Sequence, residues 1–322
     1  MDLKDAQAVF HDWEAPHYEA KWSISFDDRC IGYVADRWRR ALPQAPRVGD
    51  ALEIGCGTGF FGLNLWQAGY VGSLTCVDIS EAMVAECVAN GQRLGVAVRG
   101  EVADAERLPF PDASFDAVVG HAVIHHLPDL DGALKEALRV LRPGGLLVIA
   151  GEPTRVGDRV AAWWKRTARI GVKLAAVVGG ADRVLARGLD TVAGPAPDAD
   201  AEAEADPEAD SDPDAQVAAL EADVDVHTFD PGALEALARD AGFASATVRT
   251  EELTANWFGW LTRTVEGMVR PEVLPERYPL AAYRTWQGLS RLDERLRAIA
   301  PREVFYNAVL TARAPDAGHG PR

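Results

Sequence analysis

A glycine-rich loop after a short apolar run is the strongest chemical signal in this 322-residue chain. The run Glu53-Ile54-Gly55-Cys56-Gly57-Thr58-Gly59 stands between a predicted strand and a predicted helix. Glycines there let the backbone turn sharply and approach a ligand closely. The N-terminus of the helix beyond offers free N–H groups and partial positive charge, which suit an anion. The loop predicts one of two ligands: a dinucleotide held by its pyrophosphate, or S-adenosylmethionine held by its methionine carboxylate.

The spacing of the glycines separates these two ligands. The literal pattern Gly-x-Gly-x-x-Gly runs from Gly57 to Gly62, but a dinucleotide fingerprint begins where the strand ends, at Gly55. From Gly55, the third glycine position holds Phe60, and the carboxylate of Glu53 would repel a pyrophosphate. The same carboxylate suits the ammonium group of a methionine. The loop therefore favours S-adenosylmethionine, with an NAD-dependent oxidoreductase as the alternative.

Two further carboxylates follow the next two predicted strands. Asp78 ends the second strand, where it can accept hydrogen bonds from both ribose hydroxyls of an adenosine. Either ligand would offer those hydroxyls. Asp104 follows the third strand, where it can accept a hydrogen bond from the adenine amino group. This third element strengthens the interpretation as an S-adenosylmethionine site.

Three histidines near the fourth predicted strand are candidates for a general base. His121 is the first candidate because it ends that strand and because an imidazole suits proton transfer near neutral pH. His125 and His126 are the second candidates, with a purely structural role as the alternative for all three. The four cysteines form no Cys-x-x-Cys pair, and no Asp-Asp-Asn set stands at the strand ends, so we predict no metal.

Strand and helix signals alternate along the chain. This pattern predicts an α/β fold: a Rossmann-like, seven-stranded, mostly parallel sheet with helices on both faces, plus helical insertions that form a cover. Strands are predicted at 51–54, 73–77, 96–102, 115–119, 146–150, 246–250 and 304–313. Helices are predicted at 60–68, 80–94, 129–141, 159–178, 231–241, 254–269 and 280–299.

At these motifs the sequence resembles the class I S-adenosylmethionine-dependent methyltransferases, most of all the subgroup with the ubiquinone and menaquinone biosynthesis methyltransferases. The resemblance covers 48–151 well, and 227–250 and 304–313 less well. Its matching pieces are Leu52 to Gly59, Val77 to Ser80 with Met83, Asp104 to Phe110, Phe115 to Val119, His125 to Leu127, and Leu141 to Gly145.

The resemblance implies S-adenosylmethionine as the cofactor and a role for each matching residue. The methionine end would lie against Glu53, Gly55, Cys56, Gly57 and Gly59, the ribose against Asp78, and the adenine against Ile79, Met83, Asp104 and Ala105.

Segments outside this core predict a substrate cover. We expect an N-terminal helical segment over the cofactor site at 1–47, a cofactor-binding core at 48–151, an insertion at 152–226, and the end of the sheet at 227–322 with a helical insertion at 254–300. Candidate substrate contacts are Tyr18, Trp257 and Trp260. The basic, Trp-containing helix at 159–178 predicts either packing over the core or peripheral contact with a membrane.

Charge and composition limit the partners. Most of the formal charge of −16 comes from a run of acidic residues between Asp198 and Asp225, a low-complexity segment predicted to be a disordered loop of unassigned role. A net-acidic chain disfavours a nucleic-acid substrate. The first residues do not resemble a signal peptide, so a cytoplasmic location is expected. The sequence predicts a methyltransferase acting at oxygen or carbon of a small apolar or aromatic molecule, with a non-catalytic S-adenosylmethionine-binding module as a further alternative. Oligomeric state stays open.

Overall fold

The computed structural model describes residues 3–22, 24–44, 46–178, 227–268, 275 and 277–318. The described residues fall into two compact units. The first lies within Met1–Glu152, Ala205–Arg249 and Ala308–Arg322, and the second within Pro153–Glu204 and Thr250–Asn307. The acidic segment that the sequence predicts to be a disordered loop lies outside the described residues.

The predicted α/β fold with a seven-stranded sheet is confirmed. The strands are β1 (Val48–Ile54), β2 (Val71–Asp78), β3 (Val98–Val102), β4 (Phe115–His121), β5 (Leu141–Pro153), β6 (Ser245–Glu251) and β7 (Asn307–Arg313). The described helices are α1 (Leu3–Trp22), α2 (Asp28–Ala41), α3 (Phe60–Gln67), α4 (Glu81–Leu94), α5 (Leu130–Val140), α6 (Arg155–Val178), α7 (Pro231–Asp240), α8 (Thr254–Met268) and α9 (Tyr278–Leu296), with 3-10 turns at Ile124–His126 and Arg302–Val304.

The strand order of the sheet is β3-β2-β1-β4-β5-β7-β6. β1 pairs in parallel with β2 and β4, β2 with β3, and β4 with β5. β7 runs antiparallel to β5, because Ala314 bonds to Gly145 while Tyr306, earlier in the chain, bonds to Thr154, later in the chain. The order reverses between β1 and β4, and a sheet of this kind binds ligands at the carboxyl ends of the strands at such a switch point.

The sheet is buried on both faces by apolar side chains that alternate along each central strand. In β1, Leu52 and Ile54 belong to one hydrophobic cluster and Ala51 to the other. In β4, Val118 belongs to the first cluster and Val119 to the second. This two-residue period is the geometry of a strand covered on both sides. It fixes which side chains at the strand ends point towards α3 and α4.

Two predicted helix starts are confirmed by their caps. Ser80 Oγ accepts a hydrogen bond from Met83 N at 3.1 Å and so satisfies a free N–H of the first turn of α4. Asp230 caps α7 by accepting from Gly232 N and Ala233 N, both at 2.9 Å. These polar side chains explain why both helices begin where the sequence predicts.

The start of β5 corrects the sequence prediction. The run Pro143-Gly144-Gly145 was expected to stop a helix at 141, with a strand only from 146. Instead α5 ends at Val140 and β5 begins at Leu141, which pairs with Phe115 before a register shift. A bulge of this kind lets a strand continue through residues that ordinarily end it.

The second unit contains α6, α8 and α9. The Trp164 ring stacks on the Trp257 ring with centroids 5.6 Å apart, and Trp164 Nε1 donates to Trp257 O at 3.0 Å. The Asp293 carboxylate accepts hydrogen bonds from three backbone N–H groups at the start of α8, those of Leu253, Thr254 and Ala255. None of the helices in the described part of the chain has the length and apolarity to cross a membrane.

Candidate active site

The glycine loop connects the carboxyl end of β1 to the start of α3. Gly55, Gly57 and Gly59 have φ angles of 55°, 48° and 91°, in the left-handed region that favours glycine. A Cβ on Gly59 would also lie 2.6 Å from Leu63 Cδ1 and 2.9 Å from Cys87 Sγ. The loop therefore requires glycine at this position for its backbone conformation and for its close packing.

Asp78 anchors this loop from the end of β2. Its Oδ2 accepts a hydrogen bond from Gly57 N at 2.9 Å, and its Oδ1 accepts from Ser80 N at 3.0 Å. The side chain is buried, with 8% of its surface exposed. A carboxylate can accept about four hydrogen bonds, so each oxygen retains capacity for a further donor. The ribose contact stays a prediction, and the structure adds an anchoring role that the sequence did not indicate.

Glu53 lies on the α3 side of β1, enclosed by protein. Its Oε1 accepts from Gly62 N at 3.0 Å, and its Oε2 lies 3.6 Å from Cys76 Sγ. Gly62 is in the first turn of α3, where backbone N–H groups have no partner within the helix. Burial raises the pKa of Glu53 well above its usual range, which favours the neutral carboxyl. The placement supports a helix-capping role and does not favour the predicted contact with a methionine ammonium group, which stays a prediction.

Asp104 faces α1. Lys4 Nζ lies 2.6 Å from Asp104 Oδ2 and forms a second ion pair with Glu106. Asp104 Oδ1 also accepts from Glu106 N at 2.9 Å. The carboxylate that was predicted to bind the adenine amino group is thus engaged by the N-terminal helix.

The other predicted adenine contacts differ in their exposure. Met83 is 1% exposed, in the first turn of α4, and Ala105 is also buried. Ile79 lies between Asp78 and Ser80 in the turn after β2 and is half-buried. Ile79 therefore retains the most surface for a ligand among these three.

Helix α1 lies against the glycine loop and the turn after β2. A Cβ on Gly57 would lie 3.5 Å from Cε1 of Tyr18. Asp12 Oδ1 accepts from Ser80 Oγ at 2.5 Å and from Ala82 N at 3.0 Å. Burial raises the pKa of Tyr18, so its phenol keeps its proton at neutral pH. α1 occupies the place expected of a segment over the loop, and contact of Tyr18 with a substrate stays a prediction.

His121, the first candidate base, sits among aromatic rings at the end of β4. Its ring centroid lies 5.1 Å from that of Phe60, 5.7 Å from that of Phe61 and 6.3 Å from that of Tyr33. Its Nε2 is buried without a hydrogen-bond partner among the described residues. Burial, with a smaller effect from Arg37, lowers the pKa of His121 to about 3. A general base works best with a pKa near the operating pH, so this environment argues against that role.

The neutral state of His121 makes a testable contribution to stability. Its pKa falls from 6.5 to about 3 on folding, so the unfolded chain binds its proton more readily between these values. The stabilisation is complete above pH 6.5 and is lost as the pH falls towards 3. We expect the difference in unfolding free energy between wild type and His121→Phe to rise by up to about 1.4 kcal/mol per pH unit from pH 4.5 to 6.5. Chemical denaturation at several pH values measures it.

A difference that does not change with pH would contradict this account of His121. The matched control is His17→Gln, which alters an exposed histidine on α1. That variant should follow the wild-type pH dependence over the same range. The comparison between variants is needed because other buried groups, Glu53 among them, also titrate on unfolding.

His125 and His126 lie in the 3-10 turn after β4, and a carboxylate from β5 meets them there. His125 Nδ1 is 2.8 Å from Glu152 Oε2, and the His125 and His126 ring centroids are 3.9 Å apart. His126 O accepts from Gln7 of α1 at 2.6 Å. No sequence motif pointed to Glu152. Its only local signal is an acidic residue at the carboxyl end of a predicted strand, as with Asp78.

Three cysteine sulfurs gather behind the glycine loop. The Sγ atoms of Cys56, Cys76 and Cys87 lie within 4.8 Å of one another, and all three residues are buried. Hydrogen bonds from the other two thiols lower the pKa of Cys87 to about 5. Three sulfurs at this spacing could hold a soft metal ion. They also pack within an apolar cluster, as small buried thiols commonly do. The predicted lack of a metal stays a prediction.

The two predicted tryptophan contacts belong to the second unit. Trp257 stacks on Trp164, and Trp260 has Lys165 Nζ 3.6 Å above its ring. Both tryptophans are half-buried. The second unit thus uses part of each ring for its own packing, and their contact with a substrate stays a prediction.

Comparison with known proteins identifies a family for part of the first unit. The family model described as a methyltransferase domain matches residues 52–149. This range contains the glycine loop, the Asp78 anchor and the two histidines of the 3-10 turn. Residues 52–149 form a methyltransferase domain. The resemblance to the class I S-adenosylmethionine-dependent methyltransferases is confirmed for this part of the chain.

Curated relatives match part of the chain. The chain is 40% identical over 119 residues to 27-O-demethylrifamycin SV methyltransferase of Amycolatopsis mediterranei, which covers 36% of this chain and 43% of that protein. It is 36% identical over 132 residues to demethylmenaquinone methyltransferase of Thermus thermophilus, which covers 39% of this chain and 59% of that protein. The chain spans about half the length of these relatives.

Solved structures share the fold over nearly the whole chain. The chain superposes on the [4+2]-cyclase SpnF with a TM-score of 0.55 at 19% identity, over 96% of each chain. Phosphoethanolamine N-methyltransferase 2 of Haemonchus contortus, in complex with S-adenosyl-L-methionine, has a TM-score of 0.57 at 17% identity, over 98% of this chain and 60% of that one. At such identities the likeness establishes the Rossmann-like fold.

Proposed function

We propose that this chain is an S-adenosylmethionine-dependent methyltransferase that acts on oxygen or carbon of a small apolar or aromatic molecule. The observation that carries the proposal is the anchored glycine loop, with Gly57 N held by Asp78 at the switch point of the sheet, inside a methyltransferase domain. The printed names of the two curated relatives, which concern a rifamycin and a menaquinone precursor, support a small-molecule acceptor.

The residues of the loop fit S-adenosylmethionine, which supplies an electrophilic methyl group on a sulfonium. The positive end of the α3 dipole suits its carboxylate. The spare acceptor capacity of Asp78 suits two ribose hydroxyls, since each of its oxygens accepts one backbone N–H. A solved relative in fold is named as a complex with this molecule. The fit rests on hydrogen-bond donors and acceptors at the carboxyl ends of the strands.

The protein residues would accelerate transfer mainly by orientation. Holding the acceptor atom in line with the methyl group can lower the barrier by roughly 7–11 kcal/mol. A general base adds about 10²–10⁴-fold when the acceptor arrives protonated. We assign that role to His125 in preference to His121, because His125 has an ion-pair partner at 2.8 Å whereas the His121 ring is enclosed by aromatic side chains. His126, whose ring is tilted by 41° against that of His125, is the second candidate.

The substrate contacts remain those predicted from the sequence. Tyr18 lies beside the glycine loop, and the apolar faces of Trp257 and Trp260 suit an apolar or aromatic acceptor. Helix α6 includes the segment proposed to contact a membrane surface. Its Trp163 is 64% exposed, which supports that proposal.

A non-catalytic module or a different reaction in the same fold is the rival. One protein with this fold is named as a [4+2]-cyclase, so the fold alone does not decide the reaction. The two proposals differ in one product. A methyltransferase produces S-adenosylhomocysteine in proportion to methylated acceptor, whereas the rival binds the cofactor and leaves it intact.

The deciding experiment incubates the full chain with labelled S-adenosylmethionine and panels of quinols, phenols and apolar alcohols. We expect label in at least one acceptor class and an equal amount of S-adenosylhomocysteine. The negative control is the Asp78→Ala variant, which should produce neither labelled acceptor nor S-adenosylhomocysteine. Tight cofactor binding without transfer to any class would favour the non-catalytic module.

A further inference from the structure

A buried carboxylate, Glu152, accepts hydrogen bonds from the turn that carries the candidate base. It ends the buried part of β5 and is 0% exposed. Its Oε1 accepts from Val123 N at 2.8 Å and from Ile124 N at 3.0 Å, and its Oε2 accepts from His125 N at 3.2 Å. These three N–H groups begin the 3-10 turn, so Glu152 fixes the position of the turn relative to β5.

The same carboxylate meets the imidazole of His125. The distance from Glu152 Oε2 to His125 Nδ1 is 2.8 Å. Despite its burial, the pKa of Glu152 lies below its usual range because of His125 and the backbone donors, so the group is ionised at neutral pH. An ionised carboxylate only accepts hydrogen bonds, so Nδ1 must carry the proton. In the neutral ring, Nε2 is then the basic nitrogen.

We propose that Glu152 is a positioning residue that holds His125 in the Nδ1–H tautomer and raises the basicity of its Nε2. This inference rests on the proposed function for its catalytic meaning. The acceptor's O–H or C–H bond gives its proton to Nε2. Its electron pair forms the bond to the methyl carbon, whose former bonding pair stays on sulfur. The proton then passes from the imidazolium to solvent, and Glu152 remains ionised throughout.

Other groups around His125 act on the same titration. The His126 ring contacts it from the same turn, and His121 lies at the end of β4. His227, on the segment before α7, donates its backbone N–H to His125 O at 3.0 Å. Arg37 of α2 opposes protonation at His121. Glu152 places its negative charge directly against the His125 ring, with 2.8 Å between Oε2 and Nδ1.

The chain offers a matched control for the loss of a buried carboxylate. Asp293 is 2% exposed and, like Glu152, accepts from three consecutive backbone N–H groups at the start of a helical turn. Its fourth bond comes from Thr254 Oγ1 at 2.6 Å instead of an imidazole. Asp293→Asn therefore reproduces the structural perturbation of Glu152→Gln without altering the charge beside His125.

The test is ¹⁵N NMR of the histidine-labelled full chain as a function of pH, with His125→Asn used to assign the signal. In wild type we expect the neutral His125 ring to carry its proton on Nδ1. Removing an adjacent opposite charge shifts a pKa by about 1–3 units. The pKa of His125 should therefore fall by about one unit or more in Glu152→Gln, and should be unchanged in Asp293→Asn.

An Nε2–H tautomer in wild type, or an equal pKa in wild type and Glu152→Gln, would overturn the proposal. If Glu152→Gln does not fold, Glu152→Asp keeps the charge on a shorter side chain, and it should retain the Nδ1–H tautomer with a lower pKa. Once an acceptor is known, the acid side of the pH profile of kcat/KM should shift by as much as the pKa of His125 does. The NMR result does not depend on turnover, so failure of the methyltransferase proposal would appear separately, as absent cofactor binding or as binding without methyl transfer.

Discussion

Asp78→Ala should weaken binding of S-adenosylmethionine by roughly 100-fold or more. The variant removes two acceptors for ribose hydroxyls, and hydrogen bonds to a charged group contribute about 1.5–3 kcal/mol each. It also removes the 2.9 Å hydrogen bond from Gly57 N to Asp78 Oδ2, so the loop loses its anchor. Isothermal titration with S-adenosylmethionine and with S-adenosylhomocysteine measures the loss.

The control for this variant is Asp116→Ala. Asp116 lies near the amino end of β4, accepts from Asp50 N at 2.9 Å and pairs with Arg142. Losing it removes a carboxylate with similar backbone bonding at the opposite edge of the sheet, so stability should fall while cofactor affinity stays constant. Wild-type affinity in a folded Asp78→Ala protein would show that Asp78 does not contact the cofactor.

Gly59→Ala should destabilise the fold and abolish measurable cofactor binding. A side chain at a φ of 91° is strained by about 1–3 kcal/mol. The new Cβ would also lie 2.6 Å from Leu63 Cδ1 and 2.9 Å from Cys87 Sγ, and such overpacking costs about 1–3 kcal/mol. The loop must shift to relieve the contact, which displaces its N–H groups. Denaturant unfolding and titration report the two effects.

Gly95→Ala separates strain from close packing. Gly95 ends α4 with a φ of 72°, and a Cβ there would meet nothing within 4 Å. This variant should lose about 1–2 kcal/mol of stability and bind the cofactor as wild type does. Equal losses in the two variants would mean that the Cβ contacts at Gly59 are relieved at negligible energy.

The sequence predicted the parts of the site that depend on local order. Strand β1, the glycine loop and helix α3 are contiguous in the sequence. Ser80 directly precedes helix α4, which it caps. Local patterns of this kind need no knowledge of distant contacts. The same reasoning was wrong at the start of β5, where pairing with β4 overrides the tendency of proline and glycine to end an element.

The rest of the site depends on contacts between distant residues. Glu152 meets His125 across 27 positions of sequence, and Lys4 meets Asp104 across 100. The aromatic rings that surround His121 and keep it neutral come from two helices, with Tyr33 on α2 and Phe60 and Phe61 on α3. From residue types and positions alone, His121 was a better candidate base than His125. The packing around each ring makes His125 the better candidate.

The central claim is that the glycine loop binds S-adenosylmethionine. The most direct test is isothermal titration of the full chain with S-adenosylmethionine and with S-adenosylhomocysteine, with NADH as the control. We predict saturable, micromolar binding of the first two at one site per chain and no heat from NADH. Binding of NADH, or no binding of either sulfur compound, would contradict the claim and leave only the fold established.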